Sequence, residues 1–512
     1  MVGLLKSSLA VFLVAAGAQQ VSAFSLVGVP PAWQDAQNGY GWDIVGAVHT
    51  VGGPMNLGEE YRWNIPNLYY AIDASFLNYF GARGAEEIDK AVKIINDLPP
   101  VSQMKIDDFP IKSERVNFRA QALGLVDLKT SALQSLVAEI GLADPQAYVF
   151  TLRSRWLDAA GNTNFYVIKR NFDPVTLQNS SYINGDLWTY ITIAEVSGGP
   201  DFPVNAPVDP LAYGAPVASS ESTLTTFNSP VGIFYTGLTR DDVGGLKYIY
   251  HPENQNVENP VGGVFPGTGG GPVLVTGGPS GGSVWEPLFI TSTNGTTAQT
   301  PGGNLGSPWD PVLVQPTNNT PPPGTGGGTP TTPPVVGNFI NTGLRPGVDK
   351  LNLIKVEFDS LLGQFVSSVL DGFTDTIRTN GAPITQGLLR IINAPDILFT
   401  AADLFTGGAS DVFLRMSRTD NTWTNNGAIN RLISDPLAFA AAGPGTLNPG
   451  VIITFNNAGP TFWNGIYPFF LSEANPFFIF PIWGTYDGTT NAPVIYPNNI
   501  SIEDLERQAL GR

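Results

Sequence analysis

The chain of 512 residues contains two histidines, His49 and His251, and no cysteine. Zinc-dependent peptide hydrolysis places two histidines at positions i and i+4 of one helix, with a glutamate between them as general base. Neither histidine belongs to such a pattern, and the absence of cysteine excludes a thiol nucleophile and thiolate ligands. The run T-G-G-P-S-G-G at 276–282 has no strand-to-helix context, so we do not interpret it as a nucleophile elbow or a phosphate loop.

Carboxylates are the remaining catalytic groups, because glycoside hydrolysis needs only two of them at a suitable separation. The chain has 43 acidic residues, so their presence singles out no pair. Candidates lie in or beside several predicted elements: Asp107, Asp108, Glu114, Asp241, Asp242, Glu357 and Asp359. Trp423, Trp463 and Trp483 are suited to a sugar groove, but packing in a core is the simpler interpretation. We therefore assign no catalytic and no cofactor-binding residue.

Two Asp- and Asn-rich segments, 157–164 and 486–491, carry the oxygen ligands that calcium prefers. Neither has the ligand spacing of an EF-hand loop, so both are predicted to form turns. Calcium binding stays open without a located site, no metal ligand is assigned, and no other cofactor is predicted.

Residues 1–23 have the pattern of a secretory signal, with Lys6, the apolar run L-A-V-F-L-V-A-A-G-A and the sequence V-S-A before Phe24. The apolar run is too short to span a membrane. Export without disulfides favours a bacterial source. The 26 Lys and Arg residues are scattered and the net charge is −17, so nucleic acid is not an expected partner. We expect a secreted or cell-surface protein without a transmembrane segment in the mature chain.

Composition divides the chain. Residues 256–336 are rich in Gly, Pro and Thr and are predicted to be a linker. Residues 24–255 are predicted to form a mixed α/β domain and residues 337–512 a β-rich domain, so the predicted class is α+β. Three runs in the linker, G-P-V-L-V-T-G, E-P-L-F-I-T-S-T and D-P-V-L-V-Q-P, are β-prone. They are either strands that add to a sheet edge, in this molecule or a neighbouring one, or coil.

Hydrophobic periodicity and turn residues predict the following elements. Strands are expected at 67–73, 147–156, 165–172 and 186–196, at the start of 349–363, and in the runs 411–418, 450–457, 476–486 and 492–497. Helices are expected at 82–99, 129–142 (capped by Ser131 and ended by Gly141), 239–250, 383–393 and 501–510. The strongly apolar stretch 467–483 is interpreted as a buried strand pair, with an exposed assembly patch as the alternative.

The segment F-Y-T-G-L-T-R-D-D-V-G-G-L-K-Y-I-Y-H-P-E-N at 234–254 resembles the closing helix of matrixin-type zinc proteases, L-T-x-D-D-x-x-G-[IL]-x-x-[IL]-Y. Thr239 and Asp242 also have the spacing of a capping box. The order of elements over residues 60–252 is similar to the matrixin layout. The resemblance implies a zincin-like scaffold whose zinc motif is missing, since two histidines cannot supply three ligands and residues 215–237 contain no Met-turn. We expect His251 to lie past the helix end rather than bind metal.

Phrases such as N-Y-F-G-A-R-G-A-E-E-I-D-K-A-V-K-I-I-N-D-L-P-P-V-S and L-R-P-G-V-D-K-L-N-L-I-K-V-E-F-D-S-L-L-G resemble uncharacterised exported bacterial proteins. That resemblance implies export and a two-part architecture, and brings no activity. The first functional hypothesis is a non-enzymatic structural protein, a subunit of a surface layer, sheath or filament that associates with itself or with other surface components. The alternatives are a secreted hydrolase, either a carboxylate-based glycan hydrolase or a diverged protease, and a glycan-binding adhesin.

Overall fold

The computed structural model describes residues 23–26, 57, 60–143, 145–194, 201–209, 231–258, 273–275, 343–378, 383–401, 417–425, 445–455 and 482–497. These residues form both helices and sheets, which confirms the α+β class. The helix predicted at 501–510 and most of the strand pair predicted at 467–483 lie outside the described residues.

The helices are α1 (Ala74–Asn96), α2 (Phe118–Ala122), α3 (Leu128–Glu139), α4 (Pro145–Tyr148) and α5 (Arg240–Tyr250). The strands before the linker and at its start are β1 (Ser25–Leu26), β2 (Tyr61–Arg62), β3 (Asn67–Ile72), β4 (Glu114–Val116), β5 (Leu125–Asp127), β6 (Leu142–Ala143), β7 (Thr151–Leu157), β8 (Thr163–Ile168), β9 (Tyr182–Ile183), β10 (Asp186–Ala194), β11 (Asp201–Pro207), β12 (Ile233–Tyr235) and β13 (Asn256–Glu258). The later strands are β14 (Val273–Val275), β15 (Gly343–Arg345), β16 (Asn352–Lys355), β17 (Phe358–Asp359), β18 (Gln364–Phe365), β19 (Val369–Ile377), β20 (Ile384–Ile392), β21 (Ile397–Thr400), β22 (Ser417–Asn425), β23 (Gly445–Phe455), β24 (Ile482–Thr485) and β25 (Val494–Ile495).

The central sheet is built from strands on both sides of the linker. Strand β3 lies between β16 and β21 and is parallel to both, and β21 is parallel to β23. Strand β2 also pairs with β23 in parallel, whereas β22 pairs with it antiparallel. Side chains from both regions belong to one buried cluster. Residues 24–255 and 337–512 therefore share a sheet and a core, which the composition boundary did not indicate.

Helix α1 packs its apolar face beneath this sheet. Ile88, Val92 and Ile95 are buried at the predicted helical spacing. The helix begins earlier than predicted, at Ala74, where the Asp73 side chain accepts a hydrogen bond from the Ser75 N–H. Two helical segments meet at a kink at Gly81, whose φ of 65° favours glycine. The eight residues before the predicted start were missed because the kink interrupts the periodicity.

Helix α3 begins one residue before the predicted start, and its cap differs from the prediction. Asp127, rather than Ser131, is the N-cap: its carboxylate accepts from the Thr130 N–H at 2.9 Å and from the Thr130 hydroxyl at 2.6 Å. The Ser131 hydroxyl instead donates to the Asp127 carbonyl. Gly141 follows the helix with a φ of 116°, and a Cβ there would lie 2.5 Å from the Tyr61 carbonyl oxygen, so glycine ends the helix as predicted.

The helix predicted at 383–393 is wrong. Residues Ile384–Ile392 form β20, which pairs antiparallel with β19 along its whole length. The segment is rich in β-branched residues, and its Leu-Leu-x-x-Ile spacing satisfied the helical pattern by coincidence. The segment is a strand because it hydrogen-bonds to β19. The spacing of apolar residues within the segment gives no information about such bonding.

A buried ionic cluster joins the two regions beside α5. Arg62 donates to Glu258 at 2.7 Å, and Arg345 donates to Glu258 at 3.1 Å and to Asp375 at 2.5 Å. All four side chains are almost completely buried, and two guanidinium groups balance two carboxylates. Removing one partner of such a set leaves an uncompensated charge in the interior, so we expect the loss of any one of the four side chains to destabilise this junction.

Candidate functional site

Helix α5, which carries the matrixin-like sequence, begins with the predicted capping box. The Thr239 hydroxyl accepts from the Asp242 N–H, and the Asp242 carboxylate accepts from the Thr239 N–H at 2.6 Å. His251 is the C-cap residue, and its Nδ1 accepts from the Glu253 N–H at 3.2 Å. His251 therefore lies past the helix end, as predicted. His49 lies outside the described residues.

Helix α5 braces the end of α3. The Tyr250 hydroxyl donates to the Ile140 carbonyl at 2.6 Å and accepts from the Trp63 N–H at 3.2 Å. Gly244 lets the helix approach the chain closely, because a Cβ there would lie 2.1 Å from the Pro174 ring. These contacts are structural: the two hydrogen bonds of Tyr250 connect the end of α3 to the segment between β2 and β3.

Helix α3 is buried on nearly all sides although it carries several polar residues. Thr130, Ser131, Gln134, Ser135 and Glu139 are each less than a tenth exposed. Among the residues that the structure describes, the Gln134 amide nitrogen has no hydrogen-bond partner. An unpaired buried amide costs about 1–3 kcal/mol. A buried polar group that is retained at such a cost is expected at functional or strained positions.

Asp127, at the start of α3, is the buried carboxyl with the clearest perturbation. Burial raises its pKa to about 6, against the opposing effects of Lys129 and the hydrogen bonds from Thr130, and Glu87 adds to the rise. One carboxylate oxygen, Oδ1, has no hydrogen-bond partner within the described part of the chain. The sequence signal that was available is Asp-x-x-Thr before an apolar run, which marks a helix start and says nothing of acidity.

Glu114 is the second carboxyl with a raised pKa. Partial burial raises the pKa to about 7; Asp186 contributes to the rise, and Lys112 and Arg115 oppose it. Glu114 pairs with Tyr235 across β4 and β12, and the Tyr235 N–H donates to the Thr130 hydroxyl, which donates to Asp127. Both carboxyls thus belong to adjoining elements, and groups with pKa values near neutrality are suited to proton transfer.

The other candidate acids from the sequence serve local structure. Asp107 is exposed and forms an ion pair with Arg240 at 2.6 Å. Asp241 accepts from the Asn184 N–H at 2.7 Å, and Asp359 accepts from two backbone N–H groups of its hairpin turn. Asp108 and Glu357 are exposed. Among these acids, Asp107, Asp241 and Asp242 meet at the start of α5, whereas Glu357 and Asp359 lie in a separate hairpin region.

The two segments considered for calcium form turns, as predicted. Asp158 accepts from the Asn162 side chain and from the backbone N–H groups of Ala160 and Asn162, and these bonds lower its pKa. Asp487 accepts from the Thr489 hydroxyl and N–H, which lowers its pKa in the same way. These carboxylates are used by their own turns.

Of the three tryptophans considered for sugar binding, Trp483 is buried and packs edge-on against Phe455, as core packing predicts. Trp423 is in β22, and Trp463 lies outside the described residues. Over the described ranges, no group of three or more His, Cys, Asp or Glu residues is arranged to hold a metal ion. No helix within those ranges is long and apolar enough to cross a membrane.

Comparison with known proteins gives no assignment: no family model, no curated protein and no solved structure matches the chain.

Proposed function

We propose that this chain is a non-enzymatic structural subunit, exported by a bacterium and assembled at the cell surface with copies of itself or with other surface components. The observation that carries the proposal is an exposed apolar tip on the hairpin formed by β17 and β18. The low share of charged residues, 13%, supports it as well, because neutral polar groups cost less than ions to desolvate in an interface.

The leucine tip consists of Leu361, 97% exposed, and Leu362, 62% exposed. The Asp359 carboxylate accepts from both of their N–H groups, at 2.9 and 3.1 Å, so the turn that presents them is preformed. Val366 and Leu370 nearby are also more than half exposed. Burying one leucine stabilises a complex by about 1.5–3 kcal/mol. A partner that covers both leucines of the tip therefore binds more tightly than one that leaves them exposed.

The test is the assembly state of the mature chain from Phe24, measured by sedimentation velocity and negative-stain electron microscopy. We expect ordered oligomers that grow with concentration. The double variant Leu361→Ser/Leu362→Ser should form fewer and smaller oligomers with an unchanged melting temperature, whereas Val175→Ser, which changes an exposed apolar residue elsewhere, should assemble normally. A wild-type chain that stays monomeric at high concentration, with and without calcium, refutes the proposal.

The proposal includes the scaffold: a matrixin-type scaffold that has lost its zinc site. Metzincins carry the pattern H-E-x-x-H-x-x-G-x-x-H. Residues 134–144 are Q-S-L-V-A-E-I-G-L-A-D, with Gly141 in register and with Gln134, Ser135, Ala138 and Asp144 at the other four positions. The placement of Gln134, Ser135 and Ala138 on α3, followed by Gly141 at a positive φ, supports this interpretation.

The scaffold can be tested separately by restoring the pattern. The variant Gln134→His/Ser135→Glu/Ala138→His/Asp144→His should retain about one zinc ion per chain after dialysis, measured by atomic emission, because a matrixin-type scaffold would bring imidazoles at these three positions together. The matched control introduces the same four residues one position nearer the N-terminus, and circular dichroism verifies that both variants fold. Equal zinc retention in folded variant and control refutes the matrixin-type scaffold and leaves the assembly proposal intact.

One observation favours a second candidate, a carboxylate-based glycan hydrolase. Glu114, which is partly exposed, has a pKa raised to about 7, in the range where a carboxyl serves as a general acid. Release of reducing sugars from a panel of polysaccharides, lost in Glu114→Gln and retained in the exposed control Glu357→Gln, would establish it. Glycan-array binding without turnover would instead favour the adhesin.

A further inference from the structure

A short strand from within the linker covers one edge of the β19–β20 sheet. Val273, Leu274 and Val275, which form β14, pair in parallel with Leu388, Leu389 and Arg390 of β20. On its other side β20 is bonded to β19. The backbone of β20 at 388–390 would otherwise be an open sheet edge, and such an edge is a template for another strand. We call residues 388–390 the acceptor edge.

The acceptor edge is held rigidly by contacts that do not involve β14. Arg390 is buried and donates to both carboxylate oxygens of Asp396, at 3.0 and 2.7 Å. Its guanidinium also lies 5.7 Å from the centre of the Tyr69 ring in the central sheet. Leu388 is buried as well. A fixed edge gains affinity because little order is lost when a strand adds to it.

The linker contains the sequence of this strand twice. Residues 272–275 are P-V-L-V, and residues 311–314 are also P-V-L-V. Strand addition depends on backbone hydrogen bonds and on alternate side chains, and both are the same for identical tetrapeptides. Each chain therefore carries, besides β14, a second segment with the same sequence.

We propose that the acceptor edge binds the 311–314 segment of a second copy of this chain, so that strand exchange links neighbouring subunits. The repeated sequence identifies the binding segment. Residues 311–314 can replace residues 272–275 without changing any paired side chain, so the local concentration of each segment determines which one is bound. About 40 residues separate the two P-V-L-V segments, and a Gly-rich coil of that length would span about 35 Å. The inference deepens the proposed assembly function and rests on it.

Because the chain contains no cysteine, single-cysteine variants can trap the contact. Leu313→Cys protein is mixed with an acceptor chain that carries Leu389→Cys and in which both P-V-L-V segments are replaced by G-S-G-S. We expect a disulfide-linked heterodimer. An acceptor chain that keeps both of its own P-V-L-V segments should give about tenfold less heterodimer at about 0.1 mM protein. Its own segments are tethered, so they compete for the edge at an effective concentration of about 1 mM. Val175→Cys, at an exposed position outside the β19–β20 sheet, serves as the off-edge control.

Each outcome decides the matter. The intramolecular double variant Leu274→Cys/Leu389→Cys sets the reference yield for a paired position. A further double variant carries Leu313→Cys and Leu389→Cys in one chain. If these two positions cross-link only in that variant and not between separate chains, the exchange is internal and the proposal is overturned. If only position 274 cross-links, or if neither does, the proposal is also overturned. Oligomers that form without residues 311–314 would leave the structural role intact and reject this linkage alone.

Discussion

Replacing Asp127 by asparagine should change how the stability of the protein depends on pH. Asparagine retains an oxygen that can accept from the Thr130 N–H and hydroxyl, and it is as good an N-cap as aspartate. What it removes is a charge. Burial raises the pKa of Asp127 from 3.8 to about 6 in the folded chain, so the substitution isolates the cost of ionising this carboxyl in the interior.

The sign follows from proton linkage. The folded state holds the Asp127 proton more tightly than the unfolded state, so this carboxyl contributes stability that is fully present below about pH 4 and is lost as the pH rises through about 6. A difference of roughly 2 pKa units corresponds to about 3 kcal/mol. Relative to wild type, Asp127→Asn should therefore gain up to about 3 kcal/mol in free energy of unfolding between about pH 4 and pH 8.

Urea unfolding followed by tryptophan fluorescence at a series of pH values measures this change. Because the comparison is between pH values, any pH-independent effect of the substitution cancels. Asp487→Asn is the control: hydrogen bonds from Thr489 lower the pKa of Asp487, so wild-type Asp487 contributes stability above its unfolded pKa that is lost as the pH falls, the opposite direction. If the difference between Asp127→Asn and wild type is the same at all pH values, the carboxyl is not held neutral by burial.

The remaining predictions concern the shared core. Cutting a protease site inserted within 276–342 should leave two fragments that co-elute in gel filtration without denaturant, because their strands form one sheet; fragments that separate would contradict the shared sheet. Glu258→Gln should lower the free energy of unfolding by about 3–5 kcal/mol, since it leaves the buried Arg62 without a carboxylate partner and leaves Arg345 with Asp375 alone, and the exposed control Glu357→Gln should change it little. Gly244→Ala should destabilise the protein by about 1–3 kcal/mol, although alanine has the better helix propensity, because the added methyl group would clash with the Pro174 ring. Equal stability of variant and wild type in thermal unfolding would show that the ring can move.

Local structure was predictable where the signal is itself local. The capping box of Thr239 and Asp242, the apolar face of α1 and the turn at Asp158 all follow from residues within a few positions of one another. Asp127 was missed as the cap of α3 because Ser131 satisfied the same preference one turn later.

The organisation of the sheet was not predictable from such signals. Asn67 pairs with Asn352 in parallel, and nothing near either residue specifies the other, since parallel pairing leaves no turn sequence to mark it. The strand β20 was predicted as a helix for a similar reason: its hydrogen-bond partners are in β19, not in its own segment. At the candidate site, the pKa values of Asp127 and Glu114 are raised mainly by burial. The burial of a side chain is known only once the whole chain has folded, so the sequence does not show it.

The position of β3 between two strands from the far end of the chain has a consequence for biogenesis. Until residues 397–400 have been synthesised, β3 lacks one of its two partners, so a nascent chain cannot close its core early. Contacts across such long sequence separations form slowly. For the export that we propose, this delay has a use, because a chain whose central sheet closes late is still unfolded when it is translocated.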